Sequence, residues 1–343
     1  RRLERAGVHV VYGLIGLKTH CKVLLVVRRE AGEERLRRYV HLGTGNYNPS
    51  TARLYTDLGL LTCSLPIAQD ASRLFNILTG FSELPRWRRL SVAPVGLRER
   101  VLELIGRERE QALQGRPGRV IAAMNSLVDP EVIEALYLAS QAGVQVDLIV
   151  RGICCLRSGV PGVSENIRVI SLIGRYLEHS RILYFQNGGS EEVYLSSGDW
   201  MPRNLSRRVE TMFPIEEPSL RQRVVQILLT KLSDNVQARE LRPDGTYVRR
   251  TPGPGEERVD SQRYFQLQAL AEHAEEPQRP FSAELLLSAG PARRVDAGAG
   301  ATPDRFPLRI RPPLLTSVAD EEVMPAAASV REAGRETTAA AST

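Results

Sequence analysis

Cysteine is scarce in this sequence, and the cysteines that occur do not form a metal or disulfide framework. Only four of the 343 residues are cysteine. None belongs to a C-x-x-C pair, and the adjacent Cys154 and Cys155 are poorly placed for a zinc site or a disulfide network. We therefore expect a protein of a reducing compartment, the cytoplasm.

Long apolar runs and a signal peptide are also missing. Runs such as residues 23–27 are far shorter than the ~18 residues that a membrane-spanning helix needs, so we expect no transmembrane segment. The sequence has no initiator methionine, and its first residues read as the end of a helix that leads into a strand. We expect it to be the C-terminal part of a longer protein.

Apolar residues and positive charge are both plentiful. Hydrophobic residues make up 42% of the chain, which is ample for buried cores, and the formal net charge is +6. An excess of positive charge favours anionic partners without identifying one. On this ground alone, nucleic acid, an anionic membrane surface and polyphosphate are all admissible.

Strand-like and helix-like patterns alternate along most of the chain, which is typical of an α/β fold. The predicted strands are residues 7–11, 17–27, 38–42, 120–124, 144–150, 167–172, 181–185 and 192–196. The predicted helices are residues 68–78, 97–113, 130–141 and 219–232. Because the strand at 17–27 has apolar residues on both faces, we expect it to lie inside a sheet, with its polar start at a cleft.

The alternation predicts two domains and a tail. We expect a first domain at residues 1–88, truncated at its N-terminus, and a second at 89–276, with a linker around Trp87. After about Glu276 the residues Ala, Pro, Gly and Arg dominate, and aromatic residues are few. Such a composition does not support a packed core, so residues 277–343 are predicted to be a disordered low-complexity tail.

The most informative feature is a half-sequence that occurs twice. Up to the two histidines, His20 and His179, the copies match at an offset of 159 (179 − 20). After a variable stretch the match resumes at Asn46 and Asp199, an offset of 153 (199 − 46). Each copy therefore offers a histidine, a cation two residues later, and an Asn or Asp after a turn. Two such half-sites facing each other would form a pocket suited to moving phosphoryl groups.

His20 and Lys22 lie two residues apart on one face of a predicted strand, which directs an imidazole nitrogen and an ammonium into one volume. Neutral imidazole is a nucleophile toward phosphorus, and the cation neutralises charge on the phosphoryl oxygens. A lone histidine on a strand is more often structural than catalytic. Its duplication, with His179 followed by Arg181, reverses that preference.

Three further features are candidates for phosphate binding. The Gly-rich turn at residues 43–46 supplies backbone N–H groups and the amide of Asn46. Arg151 ends an apolar strand, where ligands of open α/β sheets bind, although a structural ion pair is an alternative for it. Several arginines follow the second turn, and for Arg207 a solvated surface is an equal alternative. In each copy an acid, Asp57 or Glu210, stands eight residues after a proline.

Six segments carry a resemblance to a known family. The repeated His-x-cation motif with its turn resembles the phospholipase D superfamily, in which one histidine forms a phospho-enzyme. Arg181 in place of Lys, and the lack of an Asp four to six residues after Lys22, match a narrower family, the long bacterial polyphosphate kinases. The matching segments are GLKTHCK (16–22), YVHLGTGNYN (39–48), TARLYTD (51–57), LIVRG (148–152), RYLEHSR (175–181) and SGDWMPRN (197–204).

This resemblance implies two tandem phospholipase-D-like α/β domains, each a mixed sheet flanked by helices, in a homo-oligomer. It implies reversible transfer of the ATP γ-phosphate through phosphorylated His20 to a polyphosphate chain, assisted catalytically by Lys22 and His179. The residues expected near the nucleotide phosphates are Tyr55, Asn46, Arg151, His179 and Arg181. Mg²⁺ would accompany ATP. No metal ligand is expected in this chain, because the family's N-terminal and helical domains, with their phosphate-binding arginines, lie upstream of Arg1.

The chemistry favours a histidine nucleophile with a supporting second histidine. A phosphoramidate keeps a high transfer potential, and ADP, whose phosphate has a pKa of about 6, leaves without obligatory protonation. His179 is therefore expected to act mainly as a hydrogen-bond donor, oriented by Asp199. A phosphodiesterase of the wider superfamily and a non-catalytic polyanion-binding module are the alternatives. The expected partners are ATP, ADP and polyphosphate, without nucleic acid, and the charge is compatible with peripheral membrane association.

Overall fold

The computed structural model describes residues 1–32, 34–80 and 86–275, which form a mixed α/β structure. The helices are α1 (Arg2–Arg5), α2 (Pro49–Ala52), α3 (Leu65–Leu78), α4 (Leu97–Leu113), α5 (Pro130–Gln141), α6 (Pro202–Arg207), α7 (Pro218–Leu232) and α8 (Ser261–Glu275). The strands are β1 (Lys18–Thr19), β2 (Lys22–Arg29), β3 (Leu36–Gly43), β4 (Tyr55–Thr56), β5 (Gly59–Thr62), β6 (Ser91–Val92), β7 (Arg119–Met124), β8 (Gln145–Val150), β9 (Ile167–Leu172), β10 (Leu177–Glu178), β11 (Arg181–Phe185), β12 (Glu192–Ser196), β13 (Arg208–Val209), β14 (Thr211–Pro214), β15 (Ala238–Leu241) and β16 (Tyr247–Arg249).

A nine-stranded sheet forms the centre of the second half of the chain. Its strand order is β16-β15-β9-β8-β7-β11-β12-β14-β6. The neighbours β7, β8 and β9 are parallel, and the remaining pairs are antiparallel. The apolar runs of the central strands suit this position, because a strand covered on both sides buries residues of both faces.

Each face of this sheet packs into its own hydrophobic core. On one face, Leu148 of β8 lies in a core with Leu104 of α4 and Leu136 of α5. On the other face, Ile149 belongs to a core that also includes Leu228 of α7. This second core takes in Val40 and other buried residues of the first half of the chain. The two halves therefore share this second core, and its packing holds them together.

The first half contains a three-stranded antiparallel sheet in the order β2-β3-β5. The expected single strand at 17–27 is wrong in two respects. It breaks at His20 and Cys21, whose backbone N–H groups both donate to the carbonyl of Val209, and β2 is an edge strand rather than an interior one. Residues 7–11 are also not a strand. Their counterpart β9 is paired on both sides, whereas within the described ranges no strand pairs with residues 7–11.

The halves are joined by two equivalent pairs of short parallel strands. Lys18 of β1 aligns with Arg208 of β13, and Leu177 of β10 aligns with Tyr55 of β4. These positions are related by the offsets of the sequence repeat, 159 (177 − 18) and 153 (208 − 55). The strand just before each histidine is thus paired with the opposite copy. The expectation that two half-sites face each other is confirmed.

Within the described residues no helix is both long enough and apolar enough to cross a membrane. The mixed α/β class expected from the alternation of patterns is confirmed. The tail expected at residues 277–343 lies outside the described residues.

Candidate active site

Each histidine of the repeat is bound to an acid of the opposite copy. Nδ1 of His20 lies 2.9 Å from Oε2 and 2.8 Å from Oε1 of Glu210. Nδ1 of His179 lies 2.8 and 3.0 Å from the two carboxylate oxygens of Asp57. A carboxylate at Nδ1 places the ring proton on that nitrogen and leaves the lone pair of a neutral imidazole on Nε2. Both rings are therefore oriented to offer Nε2 to a reacting group.

The acids are themselves held by hydroxyl groups at equivalent positions of the repeat. Thr44 Oγ1 donates to Asp57 at 2.7 Å, and Ser197 Oγ donates to Glu210 at 2.5 Å. Each hydroxyl oxygen also accepts a backbone N–H, at 3.0 and 2.9 Å respectively. The glycine that follows each hydroxyl residue leaves room for the acid. A Cβ there would lie 2.5 Å from Asp57 in the first copy and 2.9 Å from Glu210 in the second.

The Gly-rich turns have a role in the structure beyond the predicted phosphate binding. They place the acids that orient the histidines, through Thr44 and Ser197. The side chain of Asn46, expected near the nucleotide phosphates, is exposed. Arg207 is exposed as well, as its solvated-surface interpretation predicts.

The cation of each copy lies beside its histidine, as the two-residue spacing predicts. Lys22 Nζ is 3.0 Å from Nε2 and 3.1 Å from Nδ1 of His20. Arg181 Nη1 is 3.2 Å from Nε2 of His179. Both cations also donate to the backbone carbonyl of their own histidine. A positive charge at Nε2 can contact the oxygens of a phosphoryl group bound there.

The two cations differ in their own partners. Arg181 donates from Nε and Nη2 to the two oxygens of Asp199, both at 3.1 Å. The expectation that Asp199 orients His179 is therefore wrong, because the guanidinium fork matches the carboxylate and takes both of its oxygens. In the first copy Asn46 stands at the equivalent position and carries no charge. The charge of Lys22 in the half-site of His20 thus has no such carboxylate partner. In the half-site of His179, Asp199 balances the charge of Arg181.

Burial and neighbouring charges together set the pKa values of Lys22 and Asp199. Burial lowers the pKa of Lys22 to about 8, helped by the charge of Arg181 and opposed by that of Glu210. Burial alone would raise the pKa of Asp199, but the charge and hydrogen bonds of Arg181 outweigh it and lower that pKa below its usual value. Asp199 is consequently an anion at neutral pH, whereas Lys22 titrates near the upper end of the physiological range.

We predict that Lys22→Gln lowers turnover by about 10², because one well-placed charge on the phosphoryl oxygens is lost. In the unaltered protein kcat/KM is expected to fall as the pH rises through about 8, where the ammonium loses its proton. Lys22→Arg stays charged and is expected to remove this alkaline fall. A profile that is flat from neutral to alkaline pH, with near-normal turnover in Lys22→Gln, would exclude Lys22 from the site.

Tyr55 and Arg151 are brought to the half-site of His179. The ring of Tyr55 lies against that of His179, with centroids 4.8 Å apart. Arg151 directly follows β8, and its Nε donates to the backbone carbonyl of Glu178 at 2.8 Å. Nε and Nη2 of Arg151 also donate to Oδ1 of Asn125, at 3.2 and 3.1 Å. The guanidinium is thus fixed next to Glu178, the residue before His179.

Comparison with known proteins assigns the family. A model described as polyphosphate kinase C-terminal domain 1 matches residues 1–84, and one described as polyphosphate kinase C-terminal domain 2 matches residues 90–262. This chain belongs to the polyphosphate kinase family. The resemblance drawn from the six sequence segments is confirmed.

Individual relatives agree with this assignment. The chain is 60% identical over 278 residues to a polyphosphate kinase of Synechocystis sp., covering 81% of this chain and 38% of the relative. It is 57% identical over 266 residues to polyphosphate kinase 1 of Chlorobaculum tepidum, covering 77% and 37%. The crystal structure of polyphosphate kinase from Porphyromonas gingivalis is similar with a TM-score of 0.74 and 44% identity, covering 79% of this chain and 42% of that one. The chain therefore spans less than half the length of these relatives.

Sequence reasoning found the histidines and cations but missed the residues that orient them. The sequence indicates Asp57 and Glu210 only as acids at one spacing and does not indicate that the copies exchange them. It indicates Thr44 only as part of a turn, without its hydrogen bond to Asp57. The equal spacing of these residues in both copies was the available signal, because positions that recur around a repeated site tend to serve that site.

Proposed function

We propose that this chain supplies the phosphohistidine site of a polyphosphate kinase, which moves the γ-phosphate of ATP reversibly through His20 to the end of a polyphosphate chain. The exchanged contacts between histidine and acid carry the proposal. With the proton of His20 on Nδ1, beside Glu210, the lone pair on Nε2 is available to a phosphorus atom. His179 then faces the same reacting group from the opposite half-site.

The proposed steps balance as two displacements at phosphorus. Nε2 of His20 attacks the γ-phosphorus, the N–P bond forms, and the bond to the β,γ-bridging oxygen breaks with its electron pair leaving on ADP. Glu210 stabilises the positive charge of the imidazole, and Lys22 neutralises the phosphoryl oxygens. A terminal oxygen of polyphosphate next attacks the same phosphorus, and the electron pair of the N–P bond returns to Nε2. The reverse sequence makes ATP from ADP.

Charge and exposure favour His20 over His179 as the nucleophile. The half-site of His20 keeps the charge of Lys22, whereas Asp199 balances that of Arg181. A phosphoryl group bearing negative charge is better stabilised beside a cation whose charge no carboxylate takes up in a bidentate pair. The His20 side chain is also 20% exposed, compared with 10% for His179.

The nucleotide is proposed to lie against Tyr55, Arg151, His179 and Arg181. Magnesium is treated as part of the ATP substrate. Within the described part of the chain, no group of three or more His, Cys, Asp or Glu side chains is placed to hold a metal ion. A cytoplasmic location and a homo-oligomeric state are likewise proposals.

The proposed function is tested with the complete protein that contains this chain. It is expected to make long polyphosphate from ATP and to make ATP from ADP and polyphosphate. A phosphodiesterase would instead release product from a lipid or DNA phosphodiester. Binding of long polyphosphate without either conversion would mark the chain as a polyanion-binding module and contradict the proposal.

We predict that His179→Ala slows chain growth by about 10-fold to 100-fold but leaves phosphorylation of His20 detectable. The departure of ADP depends more on neutralised charge than on a donated proton, and Lys22 and Arg151 supply charge in the variant. The label from γ-labelled ATP and the rate of polyphosphate formation are measured on one preparation. Loss of the label in His179→Ala, with its retention in His20→Ala, would exchange the roles of the two histidines.

A further inference from the structure

A buried ion pair lies directly behind His179 and has no part in the steps above. Lys231 of α7 is 4% exposed and Glu178 of β10 is 7% exposed. Lys231 Nζ is 2.7 Å from Oε2 of Glu178, the residue before His179. We infer that Lys231 and Glu178 are positioning residues that fix the backbone on both sides of His179 for chain growth, an inference that rests on the proposed function.

Lys231 holds both neighbours of His179. Besides its ion pair with Glu178, the ammonium donates a hydrogen bond to Ser180 Oγ at 3.2 Å. Side chains alternate along an extended chain, so Glu178 and Ser180 lie on one side and His179 on the other. The ammonium of Lys231, on the side opposite the imidazole, thus restrains the residues before and after His179.

The carboxylate of Glu178 connects this cation to two further elements. Oε2 accepts a hydrogen bond from Thr56 Oγ1 at 3.0 Å, and Oε1 accepts one from Gln262 Nε2 of α8 at 2.7 Å. The backbone of the same strand is held as well. The His179 N–H donates to the carbonyl of Thr56 at 3.2 Å, and the carbonyl of Glu178 accepts from Arg151 Nε at 2.8 Å.

The charges of the pair are maintained despite their burial. Burial alone would raise the pKa of Glu178, but the charge of Lys231 and the hydrogen bonds to the carboxylate outweigh it and lower that pKa below its usual value. Glu178 is therefore ionised at neutral pH. A buried pair of this kind restrains geometry strongly, because moving either partner leaves a charge without compensation.

The arrangement is specific to one half-site. At the positions that the repeat makes equivalent to Glu178 and Ser180, the first copy has Thr19 and Cys21 (178 − 159 and 180 − 159). Thr19 is exposed, and burial raises the pKa of Cys21 to about 11, so that neither is charged. His20, which is more exposed, therefore has no equivalent buried ion pair beside it. The ion pair of Lys231 and Glu178 therefore restrains only His179. Such restraint suits a side chain that must keep one position while the end of the growing polyphosphate chain approaches, since small displacements of a reacting group reduce rates strongly.

The test replaces both charges at once, so that no buried charge is left unpaired. In the complete protein, Lys231→Met with Glu178→Gln is expected to lower kcat for chain growth about 10-fold. The single-turnover phosphorylation of His20 at saturating ATP is expected to stay within about 2-fold of the unaltered protein. Unaltered kcat in the correctly folded variant would overturn the inference. An equal loss of chain growth and His20 phosphorylation would also overturn it, because the pair would then not act through His179.

A double-mutant cycle separates positioning from general stability. If the pair acts through His179, adding both substitutions to His179→Ala lowers the residual rate of chain growth by less than about 2-fold. A further 10-fold loss would mean that the pair acts independently of His179 and would overturn the inference.

A matched control comes from a carboxylate near the start of β8, away from Arg151 at its other end. Asp147 is 2.8 Å from Arg119 and 2.7 Å from Arg168. Asp147→Asn is expected to lower the melting temperature without changing kcat.

Measurements on the unaltered protein distinguish failure of the positioning inference from failure of the proposed function. If the unaltered protein shows no phosphorylated His20, the proposed function fails. If it is phosphorylated and the paired variant keeps full chain growth, only the positioning inference fails.

Discussion

Replacement of His20 by alanine is expected to abolish the phospho-enzyme and to reduce chain growth to background. Among the described residues, only His20 has both features that the nucleophile needs. An acid lies at its Nδ1, and the cation beside its Nε2 has no bidentate carboxylate partner. His179 has the acid, but its cation is balanced by Asp199. Loss of the nucleophile in covalent catalysis removes the intermediate itself rather than slowing one step.

The measurement for His20→Ala uses γ-labelled ATP and the complete protein. The unaltered protein is expected to carry a label that is lost in acid, as expected of a phosphoramidate. His9→Ala serves as the control, since His9 is an exposed histidine of the same half. An acid-stable label, or equal labelling of His20→Ala and the unaltered protein, would show that another group is phosphorylated.

Glu210→Gln is expected to slow phosphorylation of His20 by about 10³, although His20 and Lys22 are unchanged. The Glu210 side chain is fully buried, and its carboxylate accepts from Nδ1 of His20 and from Ser197 Oγ. An amide in its place can present its NH₂ group to Nδ1, which moves the ring proton to Nε2 and removes the nucleophilic lone pair. A wrong tautomer of this kind costs about 10⁴ in a serine protease triad, so a loss of about 10³ is a moderate expectation.

The equivalent change in the other half-site is the control for Glu210→Gln. Asp57→Asn affects the acid at Nδ1 of His179 and is expected to slow chain growth while single-turnover labelling of His20 changes by less than about 10-fold. Melting temperatures of both variants show whether each is folded. Labelling of Glu210→Gln at the unaltered rate would contradict the assignment of Glu210 as the orienting acid.

Local sequence patterns predicted much of the fold, because apolar spacing and turn residues within a segment largely determine whether it forms a helix or a strand. The helix at 97–113 and the strands at 167–172, 181–185 and 192–196 have the predicted bounds. In these segments the apolar spacing matches a buried face, and turn residues mark their ends. The internal repeat predicted a relation that local patterns cannot give, namely that two half-sites face each other.

The errors arose where partners are distant in the sequence. His20 and Glu210 are 190 residues apart, and nothing within either segment states that the acid of one copy serves the histidine of the other. The position of Asp199 in the repeat predicts that it orients His179, but Arg181 donates two parallel hydrogen bonds to Asp199 instead. The strand at 17–27 breaks at His20 because its backbone bonds to Val209 of the second half. Tertiary contacts outweighed strand propensity there.

The most direct test of the phosphohistidine site is to identify which ring nitrogen carries the phosphoryl group. The phospho-enzyme is trapped under alkaline conditions, the modified peptide is located by mass spectrometry, and the phosphohistidine isomer is determined by ³¹P and ¹⁵N NMR. Because Glu210 holds Nδ1 of His20, phosphate is expected on Nε2 of His20. Phosphate on Nδ1 of His20, or on His179, would contradict it.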